Sequence, residues 1–309
     1  MLKMLLAAVV AALLAAPPAF AGDARLVPPD MSIDPLTMSD AELQAHPEIP
    51  PKPNAKDDPR GHELWVKSMG DYRKGVREGV VEVIKDLRGN AAKTQYGPTY
   101  SSDPDFAGAI APSLTGTTTS STSLSFTVPT YSARACPSNE SLSHWAGMQS
   151  SGGLWQAGLI AYITFNGTCQ TTAGSLTPFW EAVPGNLPQT FPGVAVHTGD
   201  TVYAQVWNTA SNTGYAKFWN QPTGIWATVT YTTSFSLANP GFEWLTEAAS
   251  TPPYMGHRTF YGSASDQYGH IYAPGVYNYS NVNYMDMIKS GITIMHIGSI
   301  GNQYYILND

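Results

Sequence analysis

The stretches 155-WQAGLIAYITF-165 and 200-DTVYAQVWNT-209 decide the fold class, because large apolar residues recur along them at a period of about two. Similar stretches occupy 123–131, 225–237, 242–248 and 291–300, with turn sequences such as 239-NPG-241 between them. Side chains of a strand point alternately to opposite faces of its sheet. Many such strands without intervening helical patterns predict an all-β domain over residues 96–309, built as a sandwich or a barrel.

The first 21 residues have the pattern of a secretory signal peptide. They carry one early cation, Lys3, then an apolar run, and end in the small-x-small sequence 19-AFA-21. No later segment reaches the ~20 apolar residues that a membrane-spanning helix needs. We therefore expect a secreted protein, extracellular or periplasmic, without a membrane span.

Residues 22–95 differ in composition from the rest of the chain. Residues 22–90 contain 10 Lys+Arg and 13 Asp+Glu, against 5 and 10 in residues 91–309. Ser39 and Glu42 have the spacing of a capping box, which predicts a short helix before a linker rich in Pro, Lys and Asp. An apolar stripe at helical spacing from Trp65 to Leu87 predicts a second, longer helix. We interpret residues 22–95 as a helical prosegment with a linker.

Several classes of partner are disfavoured by composition. The sparse, mildly acidic charge of residues 91–309 argues against nucleic acid. The seven histidines show no metal-ligand spacing, and we predict neither a metal nor a cofactor. In an oxidising compartment Cys136 and Cys169 would form a disulfide; two buried thiols are the alternative.

Two polar residues stand out because they interrupt apolar strands. Gln156 follows Trp155, and Glu243 lies between Phe242 and Trp244. An amide can stabilise an oxyanion and a carboxylate can act as a base. The alternatives are a hydrogen-bonded core amide and a carboxylate on an exposed face. Glu247 lies on the same face as Glu243 but about 13 Å along the strand, too far for a glycosidase pair.

Four stretches, in this order, resemble the glutamic peptidases (eqolisins, peptidase family G1): 143-SHWAGMQSSGGLWQAG-158, 179-FWEAVPG-185, 197-HTGDTVYAQVWN-208 and 241-GFEWLTEA-248. The resemblance covers about residues 95–250. The chain departs from the family pattern at Gln149, where many members have Asp, at 105-DFAG-108, and in the loss of two aromatics from 179-FWEAVPG-185.

The resemblance implies a concanavalin A-like, eqolisin-type antiparallel β-sandwich of two packed sheets. It implies that Gln156 and Glu243 are the catalytic pair, and that Trp145, Glu181 and Trp244 are substrate-binding neighbours. The expected protein is a monomeric, acid-acting endopeptidase of polypeptide substrates, made as a zymogen whose own prosegment is an intramolecular inhibitor.

Three other functions remain open at this point. A carbohydrate-binding module would use the many Trp and Tyr side chains as stacking platforms. A glycoside hydrolase would pair Glu243 with Glu181. A non-catalytic member of the family would keep the fold without the activity.

Overall fold

The computed structural model describes residues 24–82, 84, 101–184, 187–248, 250–276 and 282–309. The predicted signal peptide and the predicted domain boundary near residue 95 lie outside the described residues.

The described chain contains two α-helices, a 3-10 turn and 17 strands. The helices are α1 (Asp40–Gln44) and α2 (Pro59–Gly70), and the 3-10 turn is Tyr72–Lys74. The strands are β1 (Arg25–Leu26), β2 (Ser101–Asp103), β3 (Phe106–Ala111), β4 (Ser120–Thr127), β5 (Ser138–Gln149), β6 (Leu154–Phe165), β7 (Thr171–Val183), β8 (Gln189–Thr190), β9 (Thr201–Ala210), β10 (Thr213–Asn220), β11 (Trp226–Thr232), β12 (Gly241–Glu247), β13 (Arg258–Asp266), β14 (Ile271–Tyr272), β15 (Asn283–Lys289), β16 (Ile292–Gly301) and β17 (Tyr304–Asn308).

The strands form two sheets. The front sheet has the order β8–β7–β6–β5–β12–β3–β15, antiparallel throughout, with β2 added parallel to β15. The back sheet has the order β1–β11–β10–β9–β4–β13–β17–β16, and β16 also pairs with β15, which joins the two sheets. This arrangement confirms the prediction of an all-β antiparallel sandwich.

The main hydrophobic core lies between the sheets. Trp155 and Trp180 of the front sheet both contact Tyr231 of the back sheet, with ring centroids 6.0 and 5.6 Å apart. Phe242 and Trp244 are also fully buried there. Each aromatic side chain that loses ~200 Å² of exposed surface stabilises the fold by roughly 5 kcal/mol. The period-two pattern thus places every second residue of these strands in the core.

Helix α1 begins at the predicted capping box. The Ser39 backbone N–H donates to Glu42 Oε2 at 2.7 Å, and the Glu42 N–H donates to Ser39 Oγ at 3.3 Å. The prediction of a capped helix at this position is confirmed.

The prediction of one long helix from Trp65 to Leu87 is wrong, because α2 ends at Gly70. From Gly75 the chain is extended: Gly75 forms a bridge with Trp226, and the Val76 N–H donates to the Trp226 carbonyl at 2.9 Å. Glycine weakens a helix by about 1 kcal/mol, whereas the edge of the back sheet offers backbone partners. Leu87 lies outside the described residues.

A disulfide joins Cys136 and Cys169, with a Cα–Cα distance of 5.4 Å. It links the residues just before β5 to the turn between β6 and β7. Neither α1 nor α2 has the length and apolar character required to cross a membrane, and no other α-helix occurs in the described part of the chain.

Candidate active site

Four residues on neighbouring strands of the front sheet form one row across its outer face. Glu243 of β12 pairs with Gly147 of β5, Gly147 pairs with Gln156 of β6, and Gln156 pairs with Glu181 of β7. Directly paired residues point to the same face. The register therefore brings Gln156, Glu181 and Glu243 to one face, although up to 87 positions separate them in the sequence.

Gly147 lies between the carboxylate and the amide. It has no side chain of its own, and Trp145 and Leu154 pack over it between Glu243 and Gln156. The Cα atoms of Glu243 and Gln156 are two strand spacings apart, roughly 10 Å. A Cβ added at this position would lie 2.8 Å from Leu154 Cδ1 and from Trp145 Cζ3. The sequence pattern did not identify Gly147 as part of the site; its importance is visible only from the strand register.

The Gln156 side chain is oriented by Glu181. Its Nε2 donates to Glu181 Oε2 at 2.5 Å, and both side chains are buried. Glu181 Oε2 accepts this hydrogen bond, so the contact fixes which end of the amide faces Glu181. The amide nitrogen has two hydrogens, and the second is available to a ligand. Gln156 Oε1 is buried and has no hydrogen-bond partner in the described part of the chain.

Glu243 is a buried carboxyl group, with 5% of its surface exposed. Within the described ranges we find no group that donates a hydrogen bond to its side chain. Burial, together with the smaller effect of the neighbouring charge of Glu247, raises the pKa of Glu243 from 4.5 to about 8. In this conformation Glu243 is therefore a neutral carboxylic acid below about pH 8.

Glu247 lies two pleats further along β12, on the same face as Glu243. The indole N–H of Trp145 donates to Glu247 Oε2 at 3.0 Å. Trp145 is 1% exposed, and its ring meets that of Phe106 edge to face at 6.4 Å. The structure thus places Trp145 and Glu247 at the wall of the site. The alternation along β12 predicted the face of Glu247, but nothing in the sequence indicated its bond to Trp145.

Trp244 does not lie on this face, and its expected contact with substrate is wrong. Its side chain points into the core between the sheets, is fully buried, and donates its indole N–H to the Ser123 carbonyl at 3.0 Å. The physical reason is the pleat: the neighbour of an outward-facing strand residue must face inward.

Apart from Glu247 and its neighbours, the face around the polar row is largely apolar. A second hydrophobic cluster covers it on both sides of the row, comprising Phe106, Ile110, Trp145, Ile160, Phe179, Leu245 and Met285, with Ile84 and Leu154 packed against them. A buried polar row in an apolar surface is a low-dielectric environment, in which hydrogen bonds to a developing charge are strengthened.

Ile84 comes from the N-terminal segment. Residues 77–82 and 84, which we call the strap, run along the edge of the front sheet beside β8. The Thr190 N–H donates to the Glu82 carbonyl at 2.8 Å, and the Ile84 N–H donates to the Pro188 carbonyl at 2.7 Å, the pattern of antiparallel strands. The strap thus pairs with the edge of this sheet through two backbone hydrogen bonds and delivers Ile84 to the apolar cluster of the site.

Comparison with known proteins identifies the fold. A model of the peptidase A4 family matches residues 104–292, more than half of the chain. A scytalido-glutamic peptidase crystallised with a peptide-based transition state analog superposes with a TM-score of 0.51 and 16% identity, over 67% of this chain and 98% of that chain. A second structure of that peptidase, with a transition state analog inhibitor, gives 0.52 and 17% over the same shares.

Aspergilloglutamic peptidase from Aspergillus niger matches at 18% identity over 55% of this chain and 98% of that chain, with a TM-score of 0.42. No curated protein sequence matches the chain significantly. At these identities the structural likeness is evidence for the fold alone. The family match covers all four residues of the polar row, and on that match the chain belongs to the peptidase A4 family, the eqolisin or glutamic peptidases, and is an endopeptidase.

Proposed function

We propose that this endopeptidase hydrolyses peptide bonds with Glu243 and Gln156 as its catalytic residues and a water molecule as nucleophile. Ionised Glu243 takes a proton from the water as the water oxygen attacks the scissile carbonyl carbon. The free N–H of Gln156 donates to the oxyanion that forms. Glu243 then passes the proton to the leaving nitrogen as the C–N bond breaks.

One observation carries this proposal: the row of Glu243, Gly147, Gln156 and Glu181. It presents a carboxyl group and an oriented amide on either side of a position without a side chain. Gln156 Oε1 has no hydrogen-bond partner among the described residues, so a water that enters the site would supply the donor that it needs. General base catalysis typically contributes 10²–10⁴-fold, and one oxyanion donor contributes roughly 10²–10³-fold in kcat.

The base must be ionised, whereas burial keeps Glu243 neutral in this structure. We infer that the structure represents a closed form, and that the site admits water when the strap leaves. Renewed hydration would return the pKa of Glu243 towards 4.5. We propose an acid-acting enzyme, in keeping with the 10 Asp+Glu of residues 91–309, since few carboxylates must be neutralised as the pH falls.

The strap supports the proposal of a zymogen. It occupies the front-sheet edge with two backbone hydrogen bonds and inserts Ile84 into the apolar face of the site. We propose that the protein is secreted with this segment in place and is activated by cleavage after the strap. Ile84→Asp would place a charge in the apolar cluster, so we expect faster processing than in the wild type on a gel. Equal rates would contradict an inhibitory role of Ile84.

The rival functions fit the structure less well. Glu243 and Glu181 are three strand spacings apart, about 14 Å between Cα atoms, and the Glu181 carboxyl group is bonded to the Gln156 amide that lies between them. All eight tryptophans of the chain are buried, with at most 3% of their surface exposed. No tryptophan therefore offers a stacking platform for a sugar in this form.

The test is an assay on a denatured protein substrate between pH 3 and pH 7, with a polysaccharide assayed in parallel. Glu243→Gln keeps the shape of the side chain and removes the base, so turnover should fall at least 10²-fold. Asp57→Asn, which changes an exposed carboxylate far from the front sheet, is the matched control. Wild-type proteolysis by the Glu243→Gln protein, or release of sugar, would refute the proposed roles.

A further inference from the structure

The N-terminal residues 24–76, which we call the anchor, are built into the sandwich. Their apolar side chains Leu64, Trp65, Met69 and Tyr72 form one cluster with Tyr203, Trp219 and Trp226 on the outer face of the back sheet. All seven are buried, with at most 3% of their surface exposed. The anchor is thus packed like a layer of the core and not like a surface appendage.

Polar contacts join the same two surfaces. The Trp207 indole donates to the Pro47 carbonyl at 2.9 Å, and the Trp226 indole donates to the Asp71 carbonyl at 3.0 Å. Asp58 is buried in the interface and accepts from Ser263 Oγ and Gln303 Nε2, each at 2.5 Å. Leaving a buried polar group without its hydrogen-bond partner costs about 1–3 kcal/mol of free energy. Separation would leave each of these groups without its partner.

The anchor also supplies a strand and core residues. β1 pairs with β11, and the Val27 N–H donates to the Thr228 carbonyl at 2.8 Å. Ala24, Leu26 and Val76 pack against the main core between the sheets. The anchor therefore completes the edge of the back sheet as well as covering its outer face.

Removing the anchor would expose a contiguous aromatic surface. Tyr203, Trp219 and Trp226 would lose their cover, and so would Lys217, which is fully buried with its Nζ 4.5 Å from the Trp226 ring. Folded proteins rarely expose apolar patches above a few hundred Å².

The strap is attached far more weakly. Arg77 and Glu78 are exposed, and Val80 has 75% of its surface exposed. Among its described residues, the attachment consists of Val81, Ile84, two backbone hydrogen bonds to β8 and its flank, and the bond from the Glu82 N–H to Thr190 Oγ1 at 3.2 Å. The two parts of the N-terminal segment thus differ in how tightly they are held.

From this contrast we propose that the anchor stays bound to the sandwich as a permanent non-covalent subunit after the chain is cut, and that activation displaces only the strap. The proposal rests on the proposed processing for its biological setting, although its structural claim does not depend on peptidase activity. The partner of the aromatic face of the back sheet is therefore residues 24–76 of the same chain.

The experiment uses the full-length chain with Glu243→Gln, which should be unable to process itself, and a recognition sequence for a specific protease inserted between residues 84 and 101. After complete cleavage, confirmed on a denaturing gel, we expect the two fragments to elute together in size exclusion and to appear as one complex in native mass spectrometry. Elution of the fragments apart, or aggregation of the sandwich fragment alone, would overturn the proposal. Neither result depends on whether Glu243 is catalytic.

A matched pair of variants shows whether the described interface holds the fragments together. Trp65→Ala removes a buried side chain and should raise the dissociation constant of the cut complex by about a hundredfold to a thousandfold. Lys56→Ala changes an exposed side chain of the anchor and should leave the constant unchanged. Equal constants for both variants would contradict the assigned interface.

Discussion

Replacing Lys217 with methionine should stabilise the protein in a pH-dependent way. Lys217 lies in β10 beneath the anchor, is fully buried, and its Nζ has no hydrogen-bond partner in the part of the chain that the structure describes. Burial lowers the pKa of Lys217 from 10.5 to about 7, and the opposing charge of Asp71 offsets this only in part. Lys217→Met keeps the length of the side chain and removes the titrating group.

The direction of the pH dependence follows from the protons that the folded and unfolded states bind. Between pH 10.5 and about pH 7 the unfolded chain holds the lysine proton and the folded chain does not. The folded state therefore loses stability relative to the unfolded state as the pH falls through this range. A difference of about 3.5 pKa units at 1.36 kcal/mol each sets an upper bound of roughly 5 kcal/mol. The destabilisation is absent above pH 10.5, nearly complete at pH 7, and constant in more acid solution.

The assay is urea denaturation at pH 6, 8 and 10 of Lys217→Met and of the parent protein, both carrying Glu243→Gln to prevent self-cleavage. We expect the variant to be more stable by several kcal/mol at pH 6 and by much less at pH 10. Lys56→Met, at an exposed lysine, should show no pH-dependent difference. An equal gain in unfolding free energy for Lys217→Met at all three pH values would refute the lowered pKa of Lys217. Removing a group whose pKa is shifted by folding must change the unfolding free energy by an amount that varies with pH.

Three further predictions concern the site and the disulfide. Burial raises the pKa of Glu243, which costs stability as the pH rises from 4.5 through 8, so Glu243→Gln should raise the unfolding free energy at pH 9 by up to roughly 5 kcal/mol and change it little at pH 4, measured in urea. Glu181→Met should lower kcat by about 10–100-fold with KM nearly unchanged, because Gln156 loses the acceptor that orients its amide; an unaltered kcat would speak against that role. Replacing Cys136 and Cys169 together by serine should cost about 3–4 kcal/mol for a separation of 33 residues, measured by denaturation with the reduced wild type as control.

Local patterns in the sequence predicted the strands and their faces. In β12 the alternation placed Phe242 and Trp244 on one face and Glu243 on the other, and the structure has them so. The pleat is a property of each strand alone, which is why it can be predicted without knowing the partners of that strand. The capping box at Ser39 is predictable for the same reason.

Features that depend on distant pairing could not be predicted. The spacing of Val76 and Val80 suited a continued helix, but the backbone at Gly75 and Val76 pairs with Trp226 instead. The role of Gly147 requires the registers of β5 with both β6 and β12. The burial of Lys217 depends on the anchor, which lies about 140 residues earlier in the chain. Tertiary pairing decided each of these, and local propensity carries no information about it.

Because the four residues lie in one row, the backbone hydrogen bonds between the strands set the distance between the proposed catalytic groups. The distance from Glu243 to Gln156 is two inter-strand steps, and each step is fixed at ~4.8 Å by backbone geometry that side-chain substitutions elsewhere barely alter. The same arrangement depends on the register of each strand. A shift of β12 by one residue would turn Glu243 into the core and bring a tryptophan to the face. Substitutions around the site should therefore be tolerated far better than a single inserted residue within β5, β6 or β12.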